Sequence, residues 1–194
     1  MIRPLVCVSV VLALFGCAGN PNRPGASAGI DPSQLVESDS IRGSDFARLF
    51  APGDTLRSLN VPGGLGVPKL PYALQGRDTQ ASILFAIIVD SAGRIEAASR
   101  TVVASVGDPR VIKAWCDHLT TIQVEWRDGS RRRAMAFLPI RFFIALAPAG
   151  REPQVPGQKG FEPQPLIAML STMALSQRQQ WFADQQPCAS FPTR

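Results

Sequence analysis

The sequence predicts an α+β fold in which a small antiparallel sheet carries a helix on one face. The run from Ser82 to Val89 is apolar at every position after the serine, which is typical of a strand covered on both faces. Asp108 followed by Pro109 is the clearest helix start, because the carboxylate can cap free amides and proline lacks an amide that the first turn leaves unpaired. Alternating apolar runs around this helix predict further strands.

We expect four strands, at about residues 80–90, 94–104, 121–127 and 132–146. The turn Asp90–Arg94 is short enough to join the first two strands as an antiparallel hairpin, and Arg127–Ser130 is a similar signal before the last strand. The helix is expected at about residues 109–119. Its buried face is marked by apolar residues at helical spacing, namely Val111, Ile112, Trp115 and Leu119.

The last strand has a proline in its middle. Apolar residues alternate along one of its faces, at Ala136, Leu138, Ile140, Phe142 and Ile144. Pro139 lacks the amide that a strand donates to its neighbour, which favours the edge of the sheet or a bulge. Further on, the apolar spacing from Leu166 to Ala183 predicts an extra C-terminal helix at about residues 165–184 that docks back on the domain.

The chain divides into four segments. Residues 1–16 have the composition of a signal peptide, and residues 17–67 form a tether and loop-rich segment that includes a short amphipathic helix near residues 44–50. Residues 68–147 hold the sheet domain, and residues 148–194 hold a linker, a helix and a tail. The 17 prolines and 16 glycines cluster outside the sheet region, so we expect one core with irregular flanks.

The start of the chain indicates the compartment. Arg3 precedes the apolar run Leu5–Phe15, which is too short to span a bilayer but has the length of a signal-peptide core. Leu14-Phe15-Gly16-Cys17 resembles the bacterial lipobox, in which the cysteine is acylated after cleavage. The resemblance implies a stable lipid anchor on Cys17, in the outer rather than the inner membrane. An ordinary cleaved signal and an uncleaved anchor remain alternatives.

Two cysteines remain once the signal is removed and Cys17 is acylated. An exported chain lies in an oxidising compartment, where disulfides persist. We therefore expect Cys116 and Cys188 to form a bridge, with two unpaired thiols as the alternative. Because the chain has a single histidine, His118, and no Cys-x-x-Cys, no metal site is expected.

Charge and motifs argue against nucleic-acid binding and catalysis. The net charge of +5 is modest and no long basic helix accompanies it. Arg131, Arg132 and Arg133 are the one concentrated charge, either a solvated turn or a contact for anionic lipid, lipopolysaccharide or cell-wall groups. No serine or cysteine stands in a recognisable nucleophile elbow and no phosphate loop is indicated, so we expect neither an enzyme nor a cofactor. The acidic residues are expected to be solvated, namely Asp90, Glu96, Asp108, Asp117 and Glu125.

Several motifs between residues 70 and 144 resemble, in order, the C-terminal domain of the TonB family. The matching stretches are Pro71-Tyr72 near the domain start, Ile83–Gly93 with Arg94-Ile95, the helix Asp108–Leu119, and Leu138-Pro139-Ile140-Arg141-Phe142 as closing strand. The resemblance implies that an extended segment of a protein partner adds to the edge of that strand. The residues it assigns to the edge are Ala136, Leu138, Ile140, Phe142 and Ile144.

Two functions are therefore expected. The first is a lipid-anchored, periplasm-facing envelope protein that binds a protein or peptide, such as a segment of an outer-membrane receptor. It is either linked to outer-membrane transport or only shares the fold of proteins that are. The second is a structural envelope lipoprotein that contacts peptidoglycan or assists a larger complex. A closing strand covered by the C-terminal helix or by the N-terminal loop would have no free edge, and this alternative is also open.

Overall fold

A computed structural model describes residues 5–8, 42–53, 59–75, 79–147 and 160–192. Five strands form one antiparallel sheet in the order β1-β6-β3-β4-β7: β1 (Leu5–Val8), β3 (Thr79–Val89), β4 (Thr101–Gly107), β6 (Ala134–Ala147) and β7 (Gln186–Pro187). A second, two-stranded sheet pairs β2 (Leu59–Asn60) with β5 (Glu125–Trp126). The helices are α1 (residues 42–49), α2 (Pro109–His118), α3 (Pro163–Thr172) and α4 (Leu175–Ala183). The fold is α+β, as predicted.

Strand β3 is central and buried on both faces, as its sequence predicts. It pairs with β6 in unbroken register, from Thr79 opposite Ile144 to Val89 opposite Ala134. Its odd-numbered residues belong to the core under α2, and its even-numbered residues belong to a second core under α1, α3 and α4. The sheet is thus the middle layer of three, and two packed cores hold it in place.

Helix α2 begins as the sequence predicts. The N–H of Arg110 donates to Asp108 Oδ1 at 2.8 Å, and Pro109 occupies the first helical position. The guanidinium of Arg110 also bonds to this carboxylate and holds the pKa of Asp108 below its usual value. Trp115 is fully buried on the face that α2 turns to the sheet. The cap and the apolar face therefore act together to fix this helix.

Helices α1 and α4 pack closely on the opposite face of the sheet. The rings of Phe46 and Phe182 stack with centroids 5.0 Å apart. A Cβ on Gly43 would lie 2.7 Å from the carbonyl oxygen of Gln179 and 3.1 Å from Cβ of Ala183. Glycine is therefore required at residue 43, because any side chain there would push the two helices apart. α1 therefore packs on the same sheet as the predicted domain, although it precedes residue 68.

The turn after β3 is fixed by its aspartate and its glycine. Oδ1 of Asp90 accepts hydrogen bonds from the N–H groups of Ala92 and Arg94, at 2.8 and 2.9 Å. Gly93 has φ +81°, and a Cβ there would collide with the carbonyl oxygen of Val124. The Asp-x-x-Gly pattern is therefore a structural requirement of this turn.

Two of the predicted strands are wrong in extent. The expected strand at residues 94–104 begins only at Thr101, because Ala97–Ser99 is a 3-10 turn and Ser99 Oγ accepts the N–H of Ile88 in place of a strand partner. The expected strand at residues 121–127 is reduced to β5, because Leu119–Thr121 continues α2 as a 3-10 turn. β5 pairs with β2 and not with the main sheet.

The predicted C-terminal helix at residues 165–184 is two helices. The backbone is extended at Met173 and Ala174, with ψ of 144° and 158°. α4 then starts afresh, with the N–H of Ala174 donating to the side-chain oxygen of Gln177 at 2.9 Å. Both helices dock on the sheet as expected, and Leu170 and Phe182 are fully buried there.

Candidate partner-binding edge

In β6, the backbone N–H and C=O groups of successive residues point alternately toward β3 and toward the outer edge of the strand. The N–H of Ile88 donates to Ser99 Oγ, and its carbonyl accepts from the N–H of Glu96 at 2.9 Å. The even-numbered residues of β3 therefore direct their backbone groups toward β4, and the odd-numbered ones direct theirs toward β6. Since Phe85 lies opposite Leu138, the even-numbered residues of β6 bond to β3. The odd-numbered residues of β6 direct their N–H and C=O groups outward.

The outer edge of β6 carries a strand at one end only. β1 pairs with it from Ile144 to Ala147. In the part of the chain that the structure describes, no other strand pairs with this edge. Pro139 is one of the outward residues, so its missing N–H takes nothing from the pairing with β3. This is the edge position that the proline predicts.

The five residues assigned to this edge by the family resemblance have their side chains inside the protein. Ala136, Leu138, Ile140 and Phe142 are at most 2% exposed, and Ile144 packs against the same core. These side chains anchor β6 to the core, and a partner at the outer edge would not contact them. A partner would instead meet the backbone of the odd-numbered residues, which the sequence reasoning did not single out. The alternation around Pro139 was the signal that could have identified them.

The three arginines at residues 131–133 lie in different environments. Arg133 donates to Glu96 Oε1 at 2.6 Å and to Asp45 Oδ2 at 2.7 Å, and these carboxylates raise its pKa. It therefore joins α1 to the start of the 3-10 turn Ala97–Ser99, between β3 and β4. Arg132 lies over the ring of Trp126, with its guanidinium carbon 4.9 Å from the ring centroid. Arg131 is exposed.

Cys116 and Cys188 are joined in a disulfide, with Cα atoms 5.4 Å apart. The bridge links α2 to the 3-10 turn that follows β7. Arg100 strengthens the same junction, because its guanidinium donates to the carbonyl of Cys116 and its own carbonyl accepts the N–H of Cys188 at 2.9 Å. Burial lowers the pKa of Arg100. Cys17 lies outside the described residues.

His118 holds a glycine-containing loop against the end of α2. Its Nε2 lies 2.7 Å from the carbonyl oxygen of Leu65, so this nitrogen carries the proton and donates. A Cβ on Gly66, whose φ is +63°, would lie 3.1 Å from the same nitrogen. The ring also contacts Trp115 edge-on, with centroids 5.6 Å apart. The contacts of His118 therefore account for a structural role, which is to hold this loop against the end of α2.

The acidic residues named from the sequence are dispersed. Asp90 holds a turn, Asp108 caps α2, and Asp117 pairs with Lys113 at 2.5 Å. Glu96 bonds to Arg133, and Glu125 is exposed on β5. Within the described ranges, no three His, Cys, Asp or Glu residues lie together so that they could bind a metal ion. Nor does any helix in those ranges have the length and apolar character to cross a membrane.

Comparison with known proteins gives no relative. No protein-family model, no curated protein and no solved structure matches the chain.

Proposed function

We propose that this protein is a non-enzymatic, lipid-anchored component of a bacterial cell envelope that binds an extended segment of a protein partner along β6. The observation that carries the proposal is the outer edge of β6, whose only strand partner in the described residues is β1, at Ile144–Ala147. Backbone N–H and C=O groups at such an edge are a template for an added strand. The order of elements, which resembles the TonB C-terminal domain, supports the same mode of binding.

The edge is rigid enough for this task. β6 is held on its inner side by the full length of β3, and helices pack on both faces of the sheet. Phe137 and Leu138 are each 1% exposed, on opposite faces of the strand. The backbone groups that a partner segment would pair with are therefore already in place. The main free-energy cost of binding would be the ordering of the segment itself.

Signal cleavage would enlarge the edge. β1 lies within residues 1–16, the predicted signal peptide, and its departure would extend the free edge from Phe143 to Ala147. The proposed location is the periplasmic side of the envelope, with an acyl anchor on Cys17 and a role linked to outer-membrane transport. No nucleic acid, metal or cofactor takes part.

Site-specific photocrosslinking in cells tests the proposal. A benzoylphenylalanine at Phe143, which is half-buried beside the outer edge, is expected to crosslink to one discrete envelope protein. The matched control is Leu175, an exposed apolar residue on α4, which should give no such product. Acyl-chain labelling of the chain, with Cys17→Ser as control, tests the anchor. Crosslinking to peptidoglycan from both positions would instead support the structural lipoprotein, and no product at Phe143 would refute strand addition.

A further inference from the structure

Pro139 divides the outer edge of β6 into two unequal arms. The N-terminal arm contains the outward residues Met135 and Phe137. The C-terminal arm, Phe143–Ala147, contains the outward residues Phe143, Ala145 and Ala147. Between the arms, Pro139 has no N–H to donate. The side chain of Arg141 packs against Gly160, and a Cβ built on Gly160 would lie 2.6 Å from Cδ of Arg141.

A strand that spanned both arms would lose a hydrogen bond at Pro139. In antiparallel addition, one residue of the partner lies opposite Pro139 and its carbonyl finds no donor. In parallel addition, the carbonyl of the partner residue opposite Leu138 is left without a donor for the same reason. One missing hydrogen bond weakens binding by about fivefold, and by more where the orphaned carbonyl is buried.

The two arms are not equivalent. The C-terminal arm has three outward residues with complete N–H and C=O sets, against two in the N-terminal arm. The C-terminal arm is also where β1 lies, antiparallel to β6 and paired from Ile144 to Ala147. The N-terminal arm starts beside Arg133, whose ion pairs with Asp45 and Glu96 draw α1 to that end of the strand.

We infer that Pro139 determines specificity by confining strand addition to the C-terminal arm. The partner is then an apolar extended segment of about four residues, antiparallel to β6, as β1 is. This inference deepens the proposed function and rests on it. It names the length, orientation and register of the partner segment, which strand addition in general leaves open.

The test uses the chain from residue 17 onward with Cys17→Ser, the unacylated form that signal cleavage would leave. Among the residues whose side chains the structure describes, every member of the two cores lies at or after Phe46, so this chain keeps all of them. The probe is a synthetic peptide with the sequence of residues 3–10 and Cys7→Ser, which includes the β1 segment. Amide hydrogen exchange is measured by NMR with and without this peptide. The amide of Ile87, which bonds to β6, reports that each variant is folded.

The peptide should slow exchange at the N–H groups of Phe143, Ala145 and Ala147 and leave Met135 and Phe137 unchanged. Protection confined to the N-terminal arm, or equal in both arms, would overturn the inference while leaving strand addition in place. Protection of neither arm would refute strand addition at this edge, and the inference with it.

Two variants sharpen the result. Pro139→Ala supplies the missing donor, so protection by a longer peptide of residues 3–18, with Cys7→Ser and Cys17→Ser, should spread to Met135 and Phe137, because the register of β1 places residues 17 and 15 opposite them. Binding of this peptide should tighten about fivefold. Phe143→Pro removes a donor from the C-terminal arm and should bind at least fivefold more weakly than Phe143→Ala, which loses the same ring but keeps the donor. Equal binding by these two variants would show that the C-terminal arm is not used.

Discussion

Replacing Cys116 and Cys188 together by alanine is expected to lower the free energy of unfolding by about 4 kcal/mol. The disulfide closes a loop of 72 residues, and the chain-entropy relation for a loop of that size gives about 4.4 kcal/mol at 25 °C. The other attachments of the tail should keep the native state intact in the variant, because α3 and α4 dock on the sheet and β7 pairs with β4 at Thr101 and Val102. The loss should therefore be close to the full loop-closure value.

Urea unfolding followed by far-UV circular dichroism measures this difference, on the oxidised chain and on the double variant. The loss corresponds to a fall in Tm of roughly 9–18 °C for a chain of this size. A reductant should destabilise the parent chain toward the variant and leave the variant unchanged, which controls for effects of the alanines themselves. A difference below about 1 kcal/mol, in a parent chain shown by peptide mapping to be bridged, would refute the loop-entropy reasoning.

Three further predictions concern single residues. Gly93→Ala should destabilise the fold by about 2 kcal/mol or more in urea unfolding, because its φ is +81° and the new Cβ would collide with the carbonyl of Val124; an unchanged midpoint would contradict this. Gly43→Leu should cost about as much through the contact of α1 with Gln179 on α4, whereas Gly63→Leu, where a Cβ meets nothing within 4 Å, should cost little. Asp108→Ala should cost about 1 kcal/mol at pH 7 through loss of the cap. Because the pKa of Asp108 is lowered in the folded state, its contribution is present above the unfolded value of about 3.9 and is lost as the pH falls below it. The gap between parent and variant should therefore shrink between pH 4 and pH 2, and a constant gap would show that the charge of the cap is not involved.

The elements that sequence predicted best are those with a strong local cause. The apolar run Ser82–Val89 lies within β3, and the Asp108-Pro109 pair starts α2 at the expected residue. In both cases the residues that decide the structure are neighbours in the chain. The disulfide was also expected, because only Cys116 and Cys188 remained once two other cysteines had been assigned to the signal and the anchor.

The elements that sequence missed depend on distant partners. Residues 121–127 alternate like a strand, yet Leu119–Thr121 continues α2 as a 3-10 turn, and only Glu125 and Trp126 find a partner, the two-residue strand β2. Ser99 replaces a strand neighbour by accepting the amide of Ile88, and no local pattern announces that role. Similarly, the triplet at residues 131–133 was read as one charged patch, but Arg133 is held by Asp45 and Glu96, which lie far from it in sequence.

For the candidate site, the sequence identified the strand but not the residues on its surface. Apolar alternation identifies the side chains that face a core, and at Ala136 to Phe142 it did so correctly. A site made of backbone groups leaves no such trace, because every residue except proline carries the same N–H and C=O. Pro139 was informative for that reason.

The register of β3 with β6 also governs the order in which the molecule can assemble. During synthesis, β3 is completed well before β6, and Cys188, which attaches the tail through the disulfide, comes near the end of the chain. Pairing across such sequence separations is slow, since a long loop must close before any contact repays it. The two central strands therefore cannot meet until most of the polypeptide is available. Such late folding would suit the proposed export, because a translocation channel accepts a chain that is still unfolded.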